Sequence, residues 1–393
     1  MLFNSILTKL IKKGHLVWIQ SNGIKSSFGD QSISPITIKT SSKFSNVKLL
    51  LNPEVYIGES YMNGDLEVVD NNIYEFLNLL FSNMGLKYNH WALKISKSIT
   101  RLKSRFMQNN FIKRSKNNVA HHYDLSDKLY DLFLDKDRQY SCAYFHSDND
   151  TLEQAQFNKK KLIAKKLLLE KNHNILDIGS GWGGMAHFLS EQFTTNVKGI
   201  TLSEEQLTYS LKRKETNNLV NVEYALQDYR NEKNLYDRIV SVGMFEHVGT
   251  PYYLDFFNKI YDLLNDKGVA LIHTIGRYDR PGSTSPWIDK YIFPGGYIPA
   301  LSEIMKNIEK SSLITTDVQI LKFHYAETLK RWRYNFYDNI EKIRSLYDEK
   351  FCRMWDFYLS SSQASFESSN LVVFQLQLSK NKKTVPDNRD YLT

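Results

Sequence analysis

The alternation of apolar and polar positions changes rhythm near residue 118. Beyond it, short apolar runs at residues 175–176, 197–200, 222–225, 238–242 and 269–273 are separated by helix-length amphipathic stretches. Strands spaced by crossover helices predict a mostly parallel, doubly wound sheet. Residues 281–340 then insert Pro/Gly-rich and helical material before a final strand near 371–378. Before residue 85 the pattern is that of a small α+β module, with short strands at 36–38 and 49–51 and a helix around 74–81. Leu2, Phe3, Ile6, Leu7, Leu10 and Ile11 recur at helical spacing with Lys9, Lys12 and Lys13 behind them. A secretory signal places its basic residues first, so this segment does not read as one. No run approaches the ~18 apolar residues of a spanning helix.

At 393 residues the chain suits two domains, divided here as 1–115 and 116–393. The formal net charge of +8 implies an anionic partner. Residues 94–116 hold eight basic residues and no acidic ones, and Ile95, Ile99, Leu102 and Phe106 form one helical stripe within them. That pattern suits a helix lying on an anionic bilayer, or an ordinary surface helix packed on its apolar stripe. No nucleic-acid motif accompanies the charge, so nucleic acid is not the expected partner. Cys142 and Cys352 are the only cysteines and give neither a disulfide framework nor zinc spacing. A cytoplasmic protein, peripherally bound to the inner membrane surface and without a metal, is therefore expected.

Residues 175–184 read Ile-Leu-Asp-Ile-Gly-Ser-Gly-Trp-Gly-Gly, a strand running through an acid into a glycine turn. Gly179, Gly181 and Gly183 let the backbone bend and approach a ligand, and the following helix aims its free N–H groups there. The turn also fits a dinucleotide fingerprint, which needs an acid about 20 residues on for the ribose. Residues 197–200 lead instead into Thr201, Leu202 and Ser203. The D-x-G-x-G-x-G spacing from Asp177 favours S-adenosylmethionine (SAM) over NAD. Ligands of open α/β sheets bind at the carboxyl ends of the strands. Those ends present Thr201, Ser203 and Gln206; then Asp228 to accept from an adenine amine and Tyr229 to cover its ring; then Glu246, His247 and His273. A carboxylate following a buried strand is costly without a function, so Glu246 is the strongest catalytic candidate.

Residues 122–126, 140–145, 176–184, 199–206, 227–230, 242–249, 273–276, 291–296 and 324–329 together resemble the cyclopropane fatty acid synthase family, and Gly58 to Gly64 is also similar. The likeness spans nearly the whole chain. It implies a Rossmann-like class I SAM methyltransferase sheet with a helical acyl-chain insertion, preceded by a smaller α+β domain. It further implies transfer of the SAM methyl carbon to a cis double bond of a phospholipid acyl chain, closing a cyclopropane. Products that are methyl-branched or carry a methylene, and a non-catalytic lipid-binding relative, remain alternatives, and a homodimer is possible. By the same resemblance, bicarbonate takes the proton, cradled by Cys142, Glu246, His273, the backbone of Ile275 and Tyr325, with His122 at the border. Tyr140 and Ser141 join the cofactor site, and His247 faces away. Phe245, Trp287, Tyr291, Phe293, Tyr297 and Trp332 suit either an acyl tunnel or core packing. Ser180 stands where many relatives have Cys.

Overall fold

The structure, a computed structural model, describes residues 2–69, 72–84 and 127–392. His122 and the basic 94–116 segment lie outside the described residues. Two compact units divide the chain: Met1–Thr100 with Ser285–Ile292 and Ala326–Leu371, and Arg101–Thr284 with Phe293–Tyr325 and Val372–Thr393.

In the first unit, β1 (Leu16–Ile19), β2 (Lys25–Phe28), β3 (Ile36–Thr40) and β4 (Leu66–Val69) form a sheet in the order β2-β1-β3-β4. The expected strand at residues 49–51 is instead the end of a helix, Asn46–Leu51. Ser45 caps it by accepting from the Lys48 amide, and Pro53 opens the next helix, Pro53–Met62. Three apolar residues cannot by themselves separate a strand from a buried helical turn; the cap and the proline decide it.

The long helix Glu349–Ser368 packs against Pro53–Met62 and Ile73–Met84. Its Asp356 is buried and accepts hydrogen bonds from Tyr61 (2.8 Å), Tyr337 (2.7 Å) and Ser360 (3.0 Å). Burial raises this carboxyl above its usual range, against the pull of those donors. Gly58, inside the motif noted above, lies against the buried Trp287 ring, and a Cβ there would collide with Trp287 Nε1. Gly58→Ala is expected to destabilise the protein by about 1–3 kcal/mol through overpacking, read as a lowered denaturant midpoint; an unchanged midpoint would show that the ring can move.

The second unit carries a seven-stranded sheet in the order β10-β11-β9-β8-β5-β6-β7. Its strands are β5 (Asn174–Ile178), β6 (Asn196–Thr201), β7 (Val222–Leu226), β8 (Tyr236–Val242), β9 (Leu264–Arg277), β10 (Ile314–Leu321) and β11 (Leu371–Ser379). From β7 to β9 all pairings are parallel, while β10 and β11 run antiparallel to each other. Side-chain alternation builds a core on each face. Leu176, Ile178, Ile239 and Ile272 pack with Phe256 and Ile260, and Ile175, Val240 and Leu271 pack with Ile163 and Leu189. Strand order reverses at β5, between β6 and β8, which opens a crevice at their carboxyl ends.

Candidate active site

The crevice is shaped first by backbone conformation. Gly179, Gly181 and Gly183 have φ of 79°, 55° and 81°, a region that disfavours every residue with a Cβ. The Gly179 and Ser180 amides donate to the Ile200 carbonyl at 2.9 and 3.0 Å, fastening the loop to β6. The helix Gly184–Phe193 then starts with its unpaired amides at the loop.

A cavity at this point is lined by Tyr140, Ser141, Asp177, Gly179, Gly181, Thr201, Gln206, Asp228 and Tyr229. Two other expected cofactor residues do supporting work outside its wall. Gly183 is the N-cap of the loop's helix, where a side chain would meet Tyr224. Ser203 caps the helix Glu204–Thr216, accepting from the Gln206 amide at 3.2 Å. Thr201 donates its hydroxyl proton to Gln206 Oε1 (2.8 Å), which orients the Gln206 amide. Asp228 is held by Arg230, with Nε to Oδ1 at 2.8 Å and Nη2 to Oδ2 at 2.6 Å, so any adenine contact is made by an ion pair rather than a lone acid.

The cavity wall also includes Trp182, Arg230, Met244, His247 and Phe293, none of which was assigned to the cofactor from sequence. For Trp182 a signal existed, since it stands within the glycine loop itself. His247 does not face away. It lines the cavity, and burial pushes its imidazole down to about 4, leaving it neutral. Phe245–His247 is a turn of 3₁₀ helix, in which successive side chains diverge by roughly 120°; Glu246 and His247 therefore serve different surroundings.

Asp177 at the end of β5 is 1% exposed, and its Oδ2 has no hydrogen-bond partner among the described residues. Burial raises its pKa to about 7, and the charge of Lys159 acts in the opposite sense. Lys159 is fully buried on the helix Leu152–Lys166 and donates to Gln139 Oε1 and Ser141 Oγ, both at 2.8 Å. Gln156, from the same helix, donates to the Gln139 and Ser141 carbonyls at 3.1 and 3.0 Å. That helix thus shapes the 139–141 wall, with Ile163 and Ala164 packed in the sheet's core and Gln156 and Lys159 bonded to residues 139–141.

Of the expected catalytic residues, Cys142, Glu246, His273, Ile275 and Tyr325 fall in the same unit. Glu246 Oε1 accepts from the Ile275 amide at 2.6 Å, so that amide, expected to face an anion, instead fixes the carboxyl group. Glu246 Oε2 is buried without a well-aligned hydrogen-bond partner among the described residues, the Thr274 hydroxyl donating instead to the Ile275 carbonyl at 3.0 Å, and burial lifts the group to about 7 against the pull of the Ile275 amide and the Thr274 hydroxyl. His273, paired with Val242 where β8 ends, is 2% exposed, and burial, reinforced by the charges of Lys159 and Lys166, holds it well below its ordinary pKa. Cys142 is a buried thiol outside any disulfide that donates weakly to the Ala143 carbonyl at 3.3 Å. Tyr325 is buried in the first turn of His324–Asp338. The adjacent His324 accepts from the Phe145 amide at 3.2 Å, joining that helix start to the 142–145 segment.

The aromatic candidates divide. Phe293 lies on the cavity wall, 6.4 Å from Tyr140 and 6.1 Å from His247. Phe245 stacks on Tyr253 at 4.4 Å in the core, and the Tyr297 hydroxyl bonds Glu303. Trp287, Tyr291 and Trp332 belong to the first unit. There Trp287 packs on Phe357 at 4.6 Å and on Tyr291 at 5.3 Å.

No carboxylate lines the cavity at the end of β6, where Thr201 and Gln206 stand, while a buried acid and a glycine turn close β5; the fold and cavity are those of a SAM-dependent methyltransferase. The family model of mycolic acid cyclopropane synthetase matches residues 111–376. The cyclopropane-fatty-acyl-phospholipid synthase of Escherichia coli (strain K12) is 35% identical over 336 residues, 85% of this chain and 85% of that protein. The S-adenosylmethionine-dependent methyltransferase UmaA of Mycobacterium tuberculosis is 36% identical over 272 residues, 66% of this chain and 95% of UmaA. Among solved structures, the cyclopropane synthase MmaA2 from Mycobacterium tuberculosis superposes with a TM-score of 0.65 at 32% identity, covering 67% of this chain and 98% of that one. Mycolic acid cyclopropane synthase CmaA1 complexed with SAH and CTAB gives 0.64 at 33% identity, over 67% and 97%. The chain belongs to the cyclopropane synthase family and is an enzyme that uses SAM as its methyl donor.

Proposed function

We propose that the protein builds a cyclopropane ring across the cis double bond of a phospholipid acyl chain, using one carbon of SAM and a bicarbonate ion as the proton acceptor. The observation that supports this most is Glu246: a carboxyl group clamped through one oxygen by the Ile275 amide, with its other oxygen buried and unmatched. Such an oxygen costs stability unless a ligand supplies a donor, and a hydrogen-bearing anion held by neighbouring donors does so.

Bound SAM supplies an electrophilic methyl group, and bound bicarbonate supplies a base that carries its own O–H. Glu246 accepts that O–H and orients the anion. Neutral His273 and the Tyr325 hydroxyl supply the donors, and the Cys142 thiol closes the cradle with its small, buried side chain. An alkene is a weak nucleophile, so the protein must hold it in place and keep water out. The face of Phe293, on the cavity wall, suits the positive charge that develops on the acyl chain. Asp177, Gln206 and the glycine loop hold the donor, with Trp182 and Tyr229 as apolar walls.

No helix among the described residues is long and apolar enough to cross a membrane. Access to phospholipid is assigned to peripheral docking on an anionic cytoplasmic leaflet, a reading supported by the net charge of +8.

The test is incubation of the purified protein with methyl-labelled SAM and vesicles of cis-monounsaturated phospholipid, with and without bicarbonate, followed by mass analysis and NMR of the acyl chains. The expected result is a gain of one CH2 as a cyclopropane ring, weakened when bicarbonate is removed. Full activity in bicarbonate-free buffer would reject the proposed base, and a methyl branch or exocyclic methylene would reject the ring.

A further inference from the structure

His273, within β9, is tied to the neighbouring strands. Its Nδ1 lies 3.1 Å from Gln375 Nε2 on the neighbouring strand β11, and Gln375 Oε1 lies 2.8 Å from Lys166 Nζ. Lys166 also donates to Gln319 Oε1 at 2.5 Å, and Gln319 is the cross-strand partner of Gln375 in the β10–β11 register. Gln377 completes the clamp by donating its amide to the Lys166 carbonyl at 2.6 Å. Lys166, Gln375 and Gln377 are 0% exposed and His273 is 2% exposed.

A buried ammonium whose direct partners are neutral amides is costly, and packing alone would be served better by an apolar side chain. The arrangement has a consequence in polarity, however. An ammonium can only donate, so the Gln375 amide must turn Oε1 to Lys166 and its NH2 to His273. That NH2 can only donate in turn, so His273 Nδ1 must present a lone pair. A neutral imidazole has one N–H, which is then left on Nε2. Burial holds Lys166 down to about 8, so it is still an ammonium at neutral pH, and it holds His273 neutral.

We propose that Lys166 and Gln375 are positioning residues that lock His273 in the tautomer protonated at Nε2. The significance for catalysis rests on the reading above, in which His273 donates to the anion. A histidine protonated at Nδ1 would offer its bare Nε2 and repel that anion. A glutamine whose orientation is dictated by a buried lysine makes the choice before any ligand arrives. Lys159, the other buried ammonium acting on His273, is fastened to Gln139 and Ser141 and serves a different wall.

The tautomer is directly measurable. In 15N-histidine-labelled full-length protein, with the His273 signals assigned by their loss in His273→Gln, long-range 1H–15N correlation should show an Nε2–H, Nδ1-bare ring without any ligand present. In Gln375→Glu the new carboxylate, paired with Lys166, can only accept, so the proton should move to Nδ1. Turnover should then fall roughly 10- to 100-fold, the loss typical when the partner orienting a functional histidine is removed, with SAM affinity unchanged. A wild-type ring protonated at Nδ1, or an unchanged tautomer in Gln375→Glu, would overturn the proposal. If Gln375→Glu does not fold, Lys166→Met and Lys166→Arg carry the same test. Arginine also only donates and should keep the Nε2–H form, while methionine frees the amide and should give mixed tautomers; a pure Nε2–H form in Lys166→Met would equally overturn the lock. A tautomer that moves while turnover stays at the wild-type level would leave the lock standing and remove His273 from the anion cradle.

Discussion

Glu246→Gln is expected to fold and to bind SAM as the wild type does, yet to lose turnover by about 10²–10⁴-fold, the range for a group that manages a proton in the reaction. The amide oxygen keeps the bond from the Ile275 amide, but the NH2 that replaces Oε2 donates where the carboxylate accepts. The same variant should be more stable than the wild type at alkaline pH. In the unfolded chain Glu246 loses its proton near 4.5, whereas the folded protein holds it to about 7. Stability associated with the protonated group is thus fully present below about 4.5 and is lost as pH rises through about 7. A glutamine does not titrate, so ligand-free Glu246→Gln should gain about 1–3 kcal/mol over the wild type at pH 8, read from urea unfolding at pH 5 and pH 8. Turnover near the wild-type rate would remove Glu246 from the chemistry. Equal stabilities at pH 8 would show that its carboxyl group is not strained by burial.

The second large effect concerns the cofactor. Asp177 lines the cavity with one oxygen unmatched, and a cationic donor molecule is the ligand that compensates a buried carboxylate. Asp177→Asn should weaken SAM binding by about 10- to 100-fold, the worth of a hydrogen bond to a charged group. Because burial holds Asp177 up at about 7, the wild type must release a proton to bind the cation. Its affinity should rise with pH up to about 7 and then level, whereas the asparagine variant should be flat. Calorimetry at pH 6, 7 and 8 reads both the loss and the slope. Matching affinities at pH 8 would assign the cation to another group.

Some sequence expectations failed on local caps that outweigh a short apolar run, and others on neighbours distant in the chain. The triplet at residues 49–51 has strand-like composition, but Ser45 and Pro53 close a helix around it. β10 lies within the segment expected to be Pro/Gly-rich and helical; with Asp317 buried and Ile320 exposed, Ile314–Leu321 carries no period-2 pattern, and only its pairing with β11 defines it as a strand. Ser203, at a strand end where ligands bind, also caps the helix that follows. His247 shares a sequence motif with Glu246 and still turns into the cofactor cavity. Lys159 and Lys166, on a helix rich in lysine, carried no role from sequence and are both fully buried.

The sequence by itself determined the parallel sheet, the order of the strand ends, the glycine turn and the acid before it. These depend on local period, on backbone freedom at particular glycines, and on the rule that strand ends face the ligand. It also singled out Glu246 as a catalytic candidate, since a carboxylate after a buried strand is costly without a function. Only the tertiary structure decided that Ser285–Ile292 and Ala326–Leu371 join the first unit, that the Ile275 amide clamps Glu246, and that Lys166 speaks to His273 through Gln375. Each of these links residues 29 to more than 200 positions apart. Polar groups at such separations leave no periodic trace in the chain, and their roles follow from which donors and acceptors remain unmatched once water is gone.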